Sequence, residues 1–245
     1  MDASFHKSYS GFILVSNGTS GTSLTLVKKL LAIGYNVAIF GSCAYNVESL
    51  IKETLDTKER IFAKCVDITN YKELFIFYNE CKMLFGKAFV LINNFDCIVS
   101  SQSIDKISSS EIYESINSNL VGHIYLTTIV VKEMQYSNNV RQGIVININP
   151  SKEIGTLNSS LSNTSIAGLN AFISILSKDH NIRTMSFDSE YANVKSQLSE
   201  AETPLLAIYK LFNLHTKEVI WSRNKREDTI VDAIVYLCEA SSSKL

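Results

Sequence analysis

The chain has 245 residues, 46% of them hydrophobic and 19% charged, which suits one α/β domain with a sizeable buried core and excludes a disordered chain. Its 23 Lys and Arg against 24 Asp and Glu give a net charge of -1, so no strong field points to nucleic acid or to a membrane surface as a partner. The longest apolar runs, "GFILV" and "AFVLI", are strand-length and too short to span a bilayer, and "MDASFHKSYS" lacks the charged-then-apolar order of a secretory signal.

Apolar, β-branched runs then alternate with segments of helical period. Residues 11–16 ("GFILVS") predict a strand, and Leu24, Leu26, Val27, Leu30, Leu31 and Ile33 form the apolar face of a helix that Gly34 can cap. A strand "YNVAIF" follows, then a helix "NVESLIKETL" with Asn46 as its N-cap. The strand "RIFAKCVDI", the helix "NYKELFIFYNECKMLF" and the almost wholly apolar strand "AFVLIN" come next. One long helix with a serine start is expected over 108–135, then the strand "GIVININ", a helix over 163–180 and a sixth strand "NIRTMSF". The pattern weakens over 188–226, and a final helix is expected over 227–240. Strands alternating with helices imply a parallel sheet with right-handed crossovers.

In such a sheet the ligand sits at the carboxyl ends of the strands, where the strand order reverses. The first strand runs into "SNGTSGTS", residues 16–23, a turn opening a helix, where backbone N–H groups and the helix dipole favour a phosphate. The five cysteines are scattered with no C-x-x-C, as expected of reduced thiols, and the four histidines lie far apart, so no metal site is expected.

Taken together, these segments are similar to those of the classical short-chain dehydrogenase/reductase family over nearly the whole chain. "VSNGTSGTS" sits where that family has V-T-G-x-x-x-G-x-G, "CVDIT" resembles its D-V/I-T segment, and "LINNFD" resembles L-V-N-N-A-G. "INSNLVG" is similar to I-x-x-N-L-x-G, "GIVININPS" to G-x-I-V-N-I-S-S, and "EDTIVDAIVYLCEASS" to the family's P-E-D-I-A-x-A-V-x-F-L segment. The resemblance implies a Rossmann-like doubly wound parallel sheet in three α/β/α layers, with strand order 3-2-1-4-5-6. Residues 1–240 would form the single domain, without a counterpart of the family's final strand, and 241–245 a tail. It also implies that Ser16, Asn17, Gly21, Ser42, Asp67 and Asn93 line a dinucleotide site, with Asp67 at the adenine, and that Asn119 stands at the family's catalytic asparagine.

The departures fall on the chemistry. Asn17 and Ser23 replace two glycines of the turn; Asn tolerates left-handed dihedrals, whereas Ser23 stands where a glycine lets helix and sheet pack closely. Phe95 and Asp96 replace Ala-Gly, and the family's catalytic serine falls on Asn149 or Pro150. Aligning "SIAGLNAF" with S-K-A-A-L-x-x-F puts Ser162 at the catalytic tyrosine and Ile166 at the lysine that lowers that tyrosine's pKa and grips the nicotinamide ribose. Two other Y-x-x-x-K strings, Tyr78 to Lys82 and Tyr191 to Lys195, sit elsewhere in the fold and match chance expectation. Gly41, Ser42 and Cys43 offer no acid for the ribose of NAD, so NADP is the better match, the alternative being no cofactor.

The expected function is therefore that of a non-catalytic member, a pseudoenzyme acting as a subunit or nucleotide binder. The alternative is an active NADP-dependent oxidoreductase acting on acyl-CoA or another carbonyl substrate. Segments 110–135 and 163–180 correspond to the pair of helices that forms the family's dimer interface, so a homodimer, or a hetero-oligomer with another member, is expected. Ser243, Lys244 and Leu245 spell the tripeptide read by the peroxisomal import receptor, which predicts a location in the peroxisome matrix.

Overall fold

A computed structural model of the chain describes residues 11–95, 105–135, 143–149, 160–179, 182–188 and 234–235. Strand β1 (Phe12–Ser16) leads into helix α1 (Gly21–Ile33), followed by β2 (Val37–Gly41), α2 (Ala44–Glu53), β3 (Ile61–Cys65) and α3 (Tyr71–Phe85). The second half runs β4 (Ala88–Asn94), α4 (Ser109–Ile116), α5 (Gly122–Gln135), β5 (Ile144–Asn149), α6 (Ser160–Asp179) and β6 (Arg183–Asp188). The six strands form one parallel sheet in the order β3-β2-β1-β4-β5-β6, as the sequence predicts. The order reverses between β1 and β4.

Side chains of successive strand residues point to opposite faces, and the core divides accordingly. Ile13, Val15, Val37 and Ile39 join Leu26, Val27, Leu30 and Leu31 of α1 on one face. Phe12, Leu14, Ala38 and Phe40 join Leu74 and Phe77 of α3 and Leu126 and Val130 of α5 on the other. Both faces are covered, so β1 and β2 are buried at every position and read as continuous apolar runs. Of the final helix expected over 227–240, only Ile234 and Val235 belong to the described residues; both pack into the α1 side of the core.

Three helix boundaries differ from expectation or refine it. Gly34 does cap α1, at φ 106. Helix α2 starts earlier than Asn46, with Cys43 as N-cap, because the Cys43 carbonyl already accepts from the Val47 amide. The long helix expected over 108–135 is not continuous. Its serine start is real: Ser108 accepts from the Glu111 amide while the Glu111 carboxylate takes the Ser108 N–H, a capping box. After α4, however, the Gly122 amide bonds to the Asn117 carbonyl five residues back, so residues 117–121 form one wide π turn before α5 begins.

Beneath the carboxyl edge of the sheet runs a chain of polar side chains. Asn93 on β4 donates to Thr127 Oγ1 of α5 at 3.0 Å and to Asn147 Oδ1 of β5 at 3.1 Å. Asn147 in turn donates to Asn170 Oδ1 of α6 at 3.1 Å, which also accepts from Ser186 of β6 at 2.9 Å. The ladder aligns this chain, pairing Asn93 with Asn147 and Asn147 with Ser186. Asn93, Thr127 and Asn147 are fully buried, so every unmade bond here would carry a desolvation cost. Replacing Asn147 by Leu leaves Asn93 Nδ2 with Thr127 as its remaining partner and removes the bond from β5 to Asn170 of α6. We expect a loss of roughly 1–3 kcal/mol, read as a lower urea midpoint at unchanged slope.

Candidate functional site

The turn after β1 is fastened to the end of β4. Ser16 Oγ accepts from the Asn94 amide at 2.9 Å and reaches the Asn94 carbonyl at 3.4 Å. Asn17 Nδ2 donates to the Asn94 carbonyl, and Asn94 Nδ2 returns a bond to the Asn17 carbonyl, both at 3.2 Å. Asn17 has φ 49, the left-handed conformation that asparagine tolerates. Gly21 opens α1 with φ 55, and a Cβ there would meet nothing within 4 Å, so this glycine serves backbone conformation and leaves open space above the helix. Ser23 is accommodated at 2% exposure.

Opposite this turn, the β3–α3 connection is shaped by Asp67, whose Oδ1 accepts from the Thr69 amide at 2.9 Å and the Thr69 hydroxyl at 2.8 Å. The wide turn at 117–121 lies against it. A Cβ on Gly122 would stand 2.7 Å from the Ile68 carbonyl oxygen, so glycine is what lets the helix approach so closely. Asn119 sits inside the wide turn at 2% exposure, with Nδ2 3.4 Å from Ser115 Oγ. Such turns recur at functional sites because the extra residue re-aims a side chain.

Between these pieces lies a cavity of about 510 Å³, lined by Asn17 from the first turn, Ser42 after β2, Val66 to Thr69 after β3, and residues of α4, the wide turn and α5. Of the residues singled out from sequence, Asn17, Ser42, Asp67 and Asn119 meet here. Ser16 and Asn93 are fully buried and act from behind, the first in the clamp on Asn94 and the second in the polar chain. Ser162 and Ser165 are buried in α6, where Ser165 Oγ bonds to the Leu161 carbonyl at 3.0 Å, and Ile166 is half-buried. Asn149 ends β5 at 4% exposure. Pro150, Asp96, Tyr191, Lys195 and the 243–245 tripeptide lie outside the described residues.

The Tyr78–Lys82 string has a structural use. Tyr78 is buried against Phe12, and burial raises its phenol pKa above the ordinary value, while Lys82 pairs with Glu133 of α5 at 2.7 Å. Among the described residues, no three His, Cys, Asp or Glu stand close enough to hold a metal ion, and no helix is long and apolar enough to cross a membrane.

Sequence reasoning missed His123. It lies four residues after Asn119, hence on the same helix side, and that spacing was the signal. The ring is 1% exposed, stacks on Phe95 with centroids 4.8 Å apart and planes 12° apart, and borders the cavity. Burial lowers its pKa from 6.5 to about 4; the backbone carbonyls of Asn94, Ser118 and Asn119 pull the other way, though neither ring nitrogen has a hydrogen-bond partner among the described residues.

These geometries agree with what comparisons show. The family model described as short chain dehydrogenase matches residues 12–198, and the chain belongs to that oxidoreductase family. No curated protein matches. A metagenomic short-chain oxidoreductase in complex with NADP shares the fold with TM-score 0.70 and 15% identity, over 96% of this chain and 92% of its own. A protein assigned as a 3-oxoacyl-reductase from Bacillus thuringiensis does so with TM-score 0.67 and 20% identity, over 97% and 94%. Levodione reductase gives 0.64 and 17%, over 74% and 72%.

Two outcomes follow for this site. Asn17→Gly keeps the left-handed turn and loses only the side-chain bond to Asn94, whereas Asn17→Ala loses both; thermal unfolding should rank wild type, then Gly, then Ala, with each step about 1 kcal/mol. The lowered His123 pKa means that the unfolded chain binds a proton that the folded one refuses. Its contribution to stability is therefore complete above the unfolded pKa of 6.5 and falls as pH drops towards about 4. The loss amounts to about 3 kcal/mol at 1.36 kcal/mol per pKa unit. Urea titrations between pH 7 and 4 should show a shallower decline for His123→Phe than for wild type.

Proposed function

We propose that this chain is a nucleotide-binding member of the short-chain dehydrogenase family that carries out no hydride transfer. The observation that carries the reading is α6, which has Ser162 and Ile166 at the positions the family's motif gives to tyrosine and lysine. A serine hydroxyl is far less acidic than phenol, and isoleucine can neither lower a neighbour's pKa nor grip a ribose. Positioned acid–base catalysis is worth roughly 10²–10⁴-fold, so its loss alone removes most turnover.

The residues that remain fit a nucleoside. Asn17 and the start of α1 would sit at the pyrophosphate, Ser42 and Asp67 would meet the adenosine, and Asn119 would face the inner end of the cavity. A nicotinamide nucleotide, when bound, supplies a hydride; this chain's contribution is to bind and orient it and to keep water from the buried end. Among the described residues lining the cavity there are two acids, Asp67 and Glu114, and no Lys or Arg. That favours ligand parts that are neutral there and gives no cationic partner for a 2′-phosphate, so NADP as the natural ligand rests on the family alone. Peroxisomal import through Ser243, Lys244 and Leu245, and assembly through α5 and α6 into a homodimer or a hetero-oligomer with another member, belong to the same proposal.

Fluorescence titration of the purified protein should show NADPH or NADH binding. Turnover should stay below about 1 s⁻¹, the low end for enzymes, with 3-ketoacyl-CoA, enoyl-CoA and small carbonyl substrates. Ser162→Tyr alone should not restore it. Turnover above that level, abolished by Asn119→Ala, would establish the active reductase instead. An N-terminal fluorescent fusion should be punctate with a peroxisomal marker and become diffuse when 243–245 are deleted; unchanged puncta would refute the targeting signal.

A further inference from the structure

The cavity is bordered by an imidazole that makes no hydrogen bond of good geometry, although the backbone carbonyls of Asn94, Ser118 and Asn119 act on it from nearby. His123 is 1% exposed, it borders the cavity, and neither Nδ1 nor Nε2 finds a partner among the described residues. A buried polar group without a partner costs stability, and native structures rarely keep one without a use. The ring is also held in place, since Phe95 stacks on one face at 4.8 Å. Its backbone follows Gly122, whose contact with Ile68 fixes where the helix passes the β3–α3 connection. The imidazole is thus a pre-positioned donor and acceptor.

The chemistry of its partner follows from the surroundings. A neutral imidazole offers one N–H and one lone pair, which together match a hydroxyl or an amide, since each of these both gives and takes a hydrogen bond. A phosphate accepts only, and would leave the lone pair facing an anion. Protonation would cure that, but the ring is buried and the charged side chains of the cavity wall, Asp67 and Glu114, would add a further negative field around the phosphate. An uncharged partner avoids both difficulties.

We propose that His123 is a positioning residue for the ligand of this cavity, hydrogen-bonding an uncharged hydroxyl or amide of the nucleoside portion rather than a phosphate. The inference rests on the nucleotide-binding reading and goes beyond it, because the family's motifs assign no role to this position. Phe95, which stands in place of a small residue, stacks flat on the imidazole at the border of the cavity and so holds the plane of the ring.

The test compares wild type, His123→Phe and His123→Asn, using adenosine and NAD as probes. Phe preserves the flat shape and the stacking and removes both nitrogens; Asn restores a donor and an acceptor. Calorimetric titration should show that His123→Phe weakens NAD and adenosine by about 3–10-fold, the worth of one neutral hydrogen bond, and that Asn recovers part of this. Without ligand, His123→Phe should melt several degrees higher, roughly what relief of an unpaired buried group gives. The ¹⁵N signals of the His123 ring should move when adenosine is added to wild type. Equal affinity of wild type and His123→Phe for both probes, with unmoved ring signals, overturns this inference and leaves nucleotide binding standing. Failure of wild type to bind adenosine, NAD, NADH or NADPH overturns both readings together.

Discussion

The site depends on a clamp between neighbouring strands that are far apart in sequence. Strands β1 and β4 lie side by side where the strand order reverses, and their connections leave in opposite directions, which opens a crevice. Left alone, the two strand ends would be free to splay. Ser16 and Asn17 prevent it by taking up the amide, the carbonyl and the side chain of Asn94. In a full family turn the residue at position 17 is a glycine and contributes backbone only. In this chain Asn17 supplies both the left-handed conformation and a side-chain tie, so the departure from the motif reinforces the floor of the crevice.

Behind the clamp, the chain of amides from Asn93 through Asn147 to Asn170 and Ser186 performs the corresponding task for the other half of the sheet. Interior amides tolerate only arrangements in which each donor meets an acceptor, so they select one register of β4, β5 and β6 and one depth of α6. Apolar packing alone would be more forgiving: the isoleucines and valines of β4 and β5 could interdigitate in shifted registers at modest cost. The polar layer therefore fixes how β4, β5, β6 and α6 sit relative to one another in this short-chain dehydrogenase scaffold.

Much of this was legible in the sequence, for definite reasons. Strand positions followed from runs such as "AFVLIN", because strands covered on both faces need apolar residues throughout. Asn17, Ser42, Asp67 and Asn119 could be placed together because their motifs sit at strand ends that the topology brings to one edge. Other features depended on contacts that no local pattern encodes. The break in the helix at Asn117 arises from one backbone bond reaching five residues instead of four. Asn93 was read as a cofactor contact, since a motif gives position without direction; its side chain turns into the sheet to Thr127 and Asn147. His123 escaped notice because a histidine on an apolar helix face looks like packing until its neighbours are known.

The wide turn at 117–121 also acts as a phase shifter. A regular helix advances 100° per residue, so a single extra residue rotates everything beyond it by more than a quarter of a revolution about the axis. Helix α4 can therefore lie against α6 while α5 turns its apolar side to α3 and β4, which one unbroken helix with a single stripe could not do for both. The two halves of the segment are geared to different neighbours, and the gear tooth between them is the stretch that carries Asn119.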